Sequence, residues 1–203
     1  MRSTQAVGLL AGVPWRTVVG LAAAGAALLV VASIWVTAPV ADLALRLGLV
    51  ALAASAAHVL DEAAAEAVDA TPTSLRVRTA TRSSCAAVML AIGMLGLGMV
   101  ALRSDSSARL GISVQLAGCL LVALAAAALL RRRLTEPGEV VAGTLAAGIL
   151  MLSLARPFDR WVEVFPGEAG DRWAGSVALW SLVALACGVG LARATRDPYD
   201  RRV

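Results

Sequence analysis

The chain contains no lysine; all 18 of its basic residues are arginine. That absence excludes a P-loop, whose lysine reaches the β/γ-phosphates, and Schiff-base catalysis, which needs an amine. A single histidine, His58, rules out a multi-histidine metal site. Charge is scarce: charged residues are 16% of the chain, against about 25% in soluble domains. Cys85, Cys119 and Cys187 all lie within apolar runs and read as small buried hydrophobes, not as disulfide partners. No spacing of residues supports Ser-, Cys- or metal-dependent hydrolysis, so the chain is expected not to be an enzyme and to bind no cofactor itself.

What is present is apolar. Of the 203 residues 59% are hydrophobic, and the mean hydropathy is +0.79. That excess of apolar surface needs lipid rather than a larger core, so the expected fold is an all-α integral membrane protein. The net charge of +4 and pI near 9.7 would suggest nucleic acid in a soluble domain. In a membrane chain the arginine excess is instead a topology signal, and no nucleic-acid partner is expected.

Six apolar runs, near residues 17–36, 43–60, 84–102, 110–130, 140–155 and 173–191, are read against the ~20 residues that cross a ~30 Å hydrocarbon layer. They make one transmembrane domain over residues 1–203. Trp15 and Trp35 flank the first run as interfacial anchors. In the second, Arg46 stands four residues after Asp42, a pair able to snorkel to the nearby interface. The third contains Gly93, Gly96 and Gly98, and small residues of this kind let helices approach closely. Gln115 is the one strongly polar side chain of the fourth, a candidate pathway residue or an interhelical hydrogen-bond donor. The fifth covers only about 24 Å at 1.5 Å per residue.

Residues 1–14 read as an interfacial helix leading into an uncleaved first span. A secretory signal is the alternative, disfavoured by the Pro14-Trp15-Arg16 interruption. With the N-terminus inside, twelve arginines fall on the cytoplasmic side and five outside, with Arg46 inside span two. Both termini are therefore expected in the cytoplasm.

The longest polar interruption is His58 to Arg82, HVLDEAAAEAVDATPTSLRVRTATR. At roughly 100° per residue, His58, Asp61, Glu62, Glu66 and Asp69 share one helical face within an arc of about 140°. Alanines fill the other side, and Thr71-Pro72 ends the helix. Arg76, Arg78 and Arg82 follow as a basic turn before the next apolar run near Ser84. His58, Asp61 and Glu62 can be drawn as a metal or acid–base site, but a solvated acidic helix end is the simpler reading. Arg131, Arg132 and Arg133 form either an anionic-headgroup site or a plain positive-inside anchor. The outer loop RPFDRWVEVFPGEAGDR, 156–172, interleaves Phe158, Trp161 and Phe165 with charges between two prolines. It predicts either a re-entrant piece between spans five and six or an aromatic belt at the interface.

This layout resembles the membrane (permease) subunit of ABC-2 type ABC transporters, in their small bacterial form. The resemblance is carried by MRSTQAVGLLAGVPWR, LDEAAAEAVDATPTSLRVRTATR and RPFDRWVEVFPGEAGDRW. It implies a subunit of a bacterial plasma (inner) membrane exporter, docked on a separate ATPase subunit that binds ATP and Mg. It also implies a second membrane subunit, identical or different. By this analogy Asp61, Glu62, Glu66, Asp69, Arg76, Arg78 and Arg82 are the ATPase-coupling residues. Gln115 becomes a pathway residue, and Phe158, Trp161 and Phe165 an outer gate. The alternatives are a stand-alone channel or secondary carrier gated by His58, and a non-transporting membrane scaffold.

Overall fold

The computed structural model describes residues 12–34, 38–61, 75–101, 106–131, 133–134, 136–166 and 173–195. Among them are six helices and no strand: α1 (Trp15–Ile34), α2 (Ala38–His58), α3 (Leu75–Ala101), α4 (Ser106–Leu130), α5 (Pro137–Ala155) and α6 (Trp173–Ala194). All but α3 are long and apolar enough, by length and composition, to cross a membrane. The chain is thus a multi-pass membrane protein by its helices. Prolines mark three of the starts, with Pro14 just before α1, Pro39 in the first turn of α2 and Pro137 opening α5. Proline suits this position because its missing N–H would have had no helical partner there.

α2 and α4 form the centre. α2 packs against α1, α3, α4 and α5, while α4 packs against α2, α3, α5 and α6. Leu49, Leu52 and Ala56 of α2 and Leu116, Cys119 and Ala123 of α4 are fully or almost fully buried between them and their neighbours. Val19 of α1, Leu95 of α3, Met151 and Leu154 of α5, and Leu182 and Leu185 of α6 turn outward. Apolar side chains pointing away from the bundle are what hydrocarbon solvates, so the exposure is expected of a lipid-facing surface.

Glycines set the closest approaches. A Cβ on Gly25 of α1 would stand 3.1 Å from the Gly48 carbonyl of α2, and one on Gly48 would stand 3.2 Å from that of Gly25. On α4, Gly111 and Gly118 are seven residues apart and face Trp173 and Trp180 of α6, also seven apart. Matching heptad spacing in the same order makes α4 and α6 parallel, each glycine seating one indole. No hydrophobic force draws helices together in lipid, so this interlocking is a main source of their association.

Several expectations need correction. The helix expected to run on through the acidic face from His58 to Asp69 ends instead at His58. Leu60 and Asp61 donate their amides to the carbonyls of Ala57 (3.1 Å) and His58 (3.2 Å), tightening the last turn. α3 begins at Leu75 rather than near Ser84, so Arg76, Arg78 and Arg82 belong to a helix and not to a basic turn. The loop expected on the outer side is a series of turns over its described residues 156–166, which leaves its two expected forms, re-entrant piece or interfacial belt, undecided. Of the expected N-terminal interfacial helix, residues 1–11 lie outside the described residues, as do 62–74 of the acidic stretch and 167–172 of the outer loop.

α5 stops at Arg156, whose backbone is left-handed (φ 44°, ψ 46°), before Pro157. A side chain makes that conformation costly by about 1–2 kcal/mol, and the exposed Arg156–Asp159 pair at 3.6 Å returns little. Arg156→Gly is therefore expected to raise stability by about 1 kcal/mol or less, because glycine's greater unfolded freedom offsets part of the relief. Thermal unfolding in detergent reads the sign.

Candidate functional site

Two polar knots tie the bundle, one at each end of α2. The first is built on Asp61, just past the end of α2. Its Oδ2 accepts from His58 Nδ1 at 2.6 Å, and its Oδ1 accepts from the Gly138 amide at 2.7 Å. Its backbone carbonyl accepts from Arg82 Nη1 of α3 at 3.0 Å. Asp61 is 4% exposed and Arg82 0%.

Local chemistry explains this arrangement. Glu136 precedes α5 without capping it by its side chain, which leaves the first amides of that helix to find acceptors elsewhere. Asp61 supplies one from just past the end of α2, and its negative charge faces the positive end of the α5 dipole. Only glycine fits at 138: a Cβ there would lie 2.5 Å from both Asp61 Oδ2 and His58 Nδ1. Asp61 and Arg82, expected at a solvated coupling surface, are thus inside the fold. Arg76 and Arg78 lie in the first turn of α3. Glu62, Glu66 and Asp69 fall outside the described residues. Gly138 was not singled out from the sequence; the Glu-Pro-Gly-Glu run at a helix start was its one available signal.

The second knot holds the 156–166 turn segment against the bundle. Arg46 grips Asp42 with two hydrogen bonds, Nε to Oδ2 at 2.9 Å and Nη2 to Oδ1 at 2.7 Å. The i,i+4 pair is as expected, but Arg46 does not snorkel outward. It is buried, donates from Nη2 to the Phe165 carbonyl at 2.9 Å, and stacks its guanidinium 4.9 Å from the Phe165 ring centre. The ring also meets Trp180 at 5.4 Å between centroids. Next to it the Val164 carbonyl collects donors: Ser176 Oγ and Trp180 Nε1 at 3.0 Å each, and Gln115 Nε2 at 3.5 Å. Gln115 also donates to Ser176 Oγ at 3.1 Å, so its amide makes the interhelical bond that was one of its two expected roles.

The three aromatics named as an outer gate separate. Phe165 is buried in the second knot, whereas Phe158 and Trp161 are exposed, Trp161 at 71%. Those two roof a cavity of about 470 Å³ between α5 and α6, whose walls include Gly148 and Leu152 of α5 and Trp180 and Val183 of α6. Its lining is almost wholly apolar. Among the described residues no group of three His, Cys, Asp or Glu stands close enough to hold a metal ion. Comparison with family models, curated proteins and solved structures gives no match to this chain.

Proposed function

We propose that the chain is the membrane-spanning subunit of an ATP-driven bacterial exporter of an amphipathic or lipophilic compound, worked by a separate ATPase that grips the 61–82 stretch on the cytoplasmic side. The observation that supports this reading is the Asp61 knot. One residue at the start of that stretch is bonded to the end of α2, to α3 through Arg82 and to the start of α5 through Gly138. A force on the 61–75 connection acts on three helix ends together, which suits a lever between a moving partner and a bundle with two arrangements. The six helices among the described residues favour a pathway shared with a second membrane subunit, identical or different. ATP and Mg belong to the partner.

Arg76 and Arg78, in the first turn of α3, are the residues by which the partner is expected to be read. Arg76→Glu with Arg78→Glu should bring stimulated ATPase activity of the copurified complex to its basal level while membrane insertion is unchanged. Unaltered stimulation removes this stretch from the mechanism. A second reading, a proton-linked carrier, is favoured by the His58–Asp61 pair at 2.6 Å in a buried setting. It expects flux through the purified protein driven by a pH gradient without ATP.

A further inference from the structure

The cavity between α5 and α6 shares Val164 and Trp180 with the second knot and otherwise lies outside both. The two helices make little contact with each other, although both flank α4. The gap they leave is closed behind by Cys119 and Val122 of α4 and at one end by Phe158 and Trp161. On the two helices that flank it Leu154, Leu182 and Leu185 are exposed, a surface that in a membrane meets lipid.

We infer that this groove is a seat for one acyl chain of a bilayer phospholipid, taken sideways from the leaflet next to the 156–166 turn. Three features carry the assignment. The first is the lining. The Thr144 hydroxyl in the wall is spent on the Val140 carbonyl at 2.7 Å, and the Val164 carbonyl is already occupied by its own donors. Water needs two to four polar partners to reside in such a space, so the wall suits hydrocarbon and not a hydrated solute.

The second feature is length. From Thr144 to Leu152 the wall runs along about 12 Å of helix, close to the ~15 Å that is half of a ~30 Å hydrocarbon layer. The groove therefore occupies one leaflet, from its interface toward the midplane. Its volume of about 470 Å³ lies in the range of roughly 300–1,000 Å³ usual for ligand sites.

The third is the roof. The exposed Trp161 and Phe158 stand where aromatic rings favour the headgroup level, with the exposed Arg156 and Arg160 beside them. An acyl chain under that roof has its headgroup beside the arginines. The position of Gly148 completes the picture. A Cβ there meets nothing within 4 Å, so the glycine keeps the groove open without being needed for helix contact.

The test uses the full chain in phosphatidylcholine vesicles doped with a phosphatidylcholine carrying a photoreactive diazirine in its tail, followed by mass-spectrometric mapping. Ile149, Val164 and Trp180 are buried yet line the groove. They should be labelled severalfold more than Trp173, which is equally buried but lies outside it. Gly148→Leu, and independently Val183→Trp from the opposite wall, should reduce that labelling severalfold. Gly143→Leu, at another open glycine of α5, should leave it unchanged. Labelling of the three residues no greater than that of Trp173 overturns the assignment. So does labelling by a diazirine free fatty acid but not by the phospholipid, or a crosslink from position 148 to a second copy of the chain in place of lipid. The outcome does not depend on any ATPase.

Discussion

Asp61→Ala is expected to destabilise the protein by about 2–4 kcal/mol, the sum of a buried amide left without its acceptor and the lost charge–dipole interaction at the start of α5. Glu136 does not cap α5 with its side chain and Gly138 is buried, so the substitution takes from the amide the acceptor on which it rests. Asp61→Asn separates the contributions. Its amide oxygen still accepts from Gly138, and its amide nitrogen can donate to an unprotonated His58 Nδ1, so the loss falls to the charge–dipole part, about 1 kcal/mol or less. Arg82 bonds the main-chain carbonyl of residue 61 and keeps that bond in both variants. Equilibrium unfolding in mixed detergent micelles gives the ordering: wild type, then Asn, then Ala. Equal stability of all three would mean that α5 finds its cap elsewhere and that Asp61 does not tie the helix ends together.

That ordering bears on the proposed lever. A connection that passes force must be stiff where it enters the bundle, and a buried, doubly bonded carboxylate is stiff in a way that a solvated acidic face is not. In an Asp61→Ala protein that still inserts, the connection can move without dragging α5. Partner-stimulated turnover should then fall even where basal ATPase activity and assembly survive.

The sequence made the helices legible and left the knots hidden, for physical reasons. Hydrophobic runs mark where lipid demands a closed backbone, and those limits persist: 17–36 against Trp15–Ile34, 110–130 against Ser106–Leu130. Runs miss helix ends that are polar. α3 begins nine residues before Ser84 because arginine and threonine continue a helix outside hydrocarbon as readily as within reach of it. The Asp42–Arg46 pair was readable from its i,i+4 spacing, since both partners sit on one element. Its third partner, the Phe165 carbonyl, lies 119 residues away and leaves no local mark. The same holds for Asp61. Periodicity assigned it to an exposed face because the competing partner, the Gly138 amide 77 residues on, enters no helical wheel. The division of Phe158 and Trp161 from Phe165 is likewise tertiary: one loop supplies both a plug and a roof.

The second large effect is a reversal of sign at glycine. In a helix, Gly→Ala ordinarily stabilises by up to about 1 kcal/mol, and Gly188 of α6, with nothing within 4 Å of a would-be Cβ, should follow that rule. Gly118 should not. A Cβ there lies 2.5 Å from Cε3 of Trp180, and the indole can move aside into the neighbouring groove only by giving up its own contacts. Its Nε1–H is held by the Val164 carbonyl and its ring by Phe165. Overpacking of this kind costs about 1–3 kcal/mol, so Gly118→Ala is expected to destabilise where Gly188→Ala stabilises. Cε3 belongs to the benzo ring of the indole, so Trp180→Phe clears the space and removes the clash, at the cost of the hydrogen bond to Val164. In that background Gly118→Ala should be nearly neutral or favourable, giving a coupling of about 1–3 kcal/mol in a double-mutant cycle. Gly111 and Trp173, one heptad earlier, should couple in the same sense. Additivity of Gly118→Ala with Trp180→Phe would show that the glycines do not seat the indoles, and the parallel α4–α6 interlock would lose its physical basis.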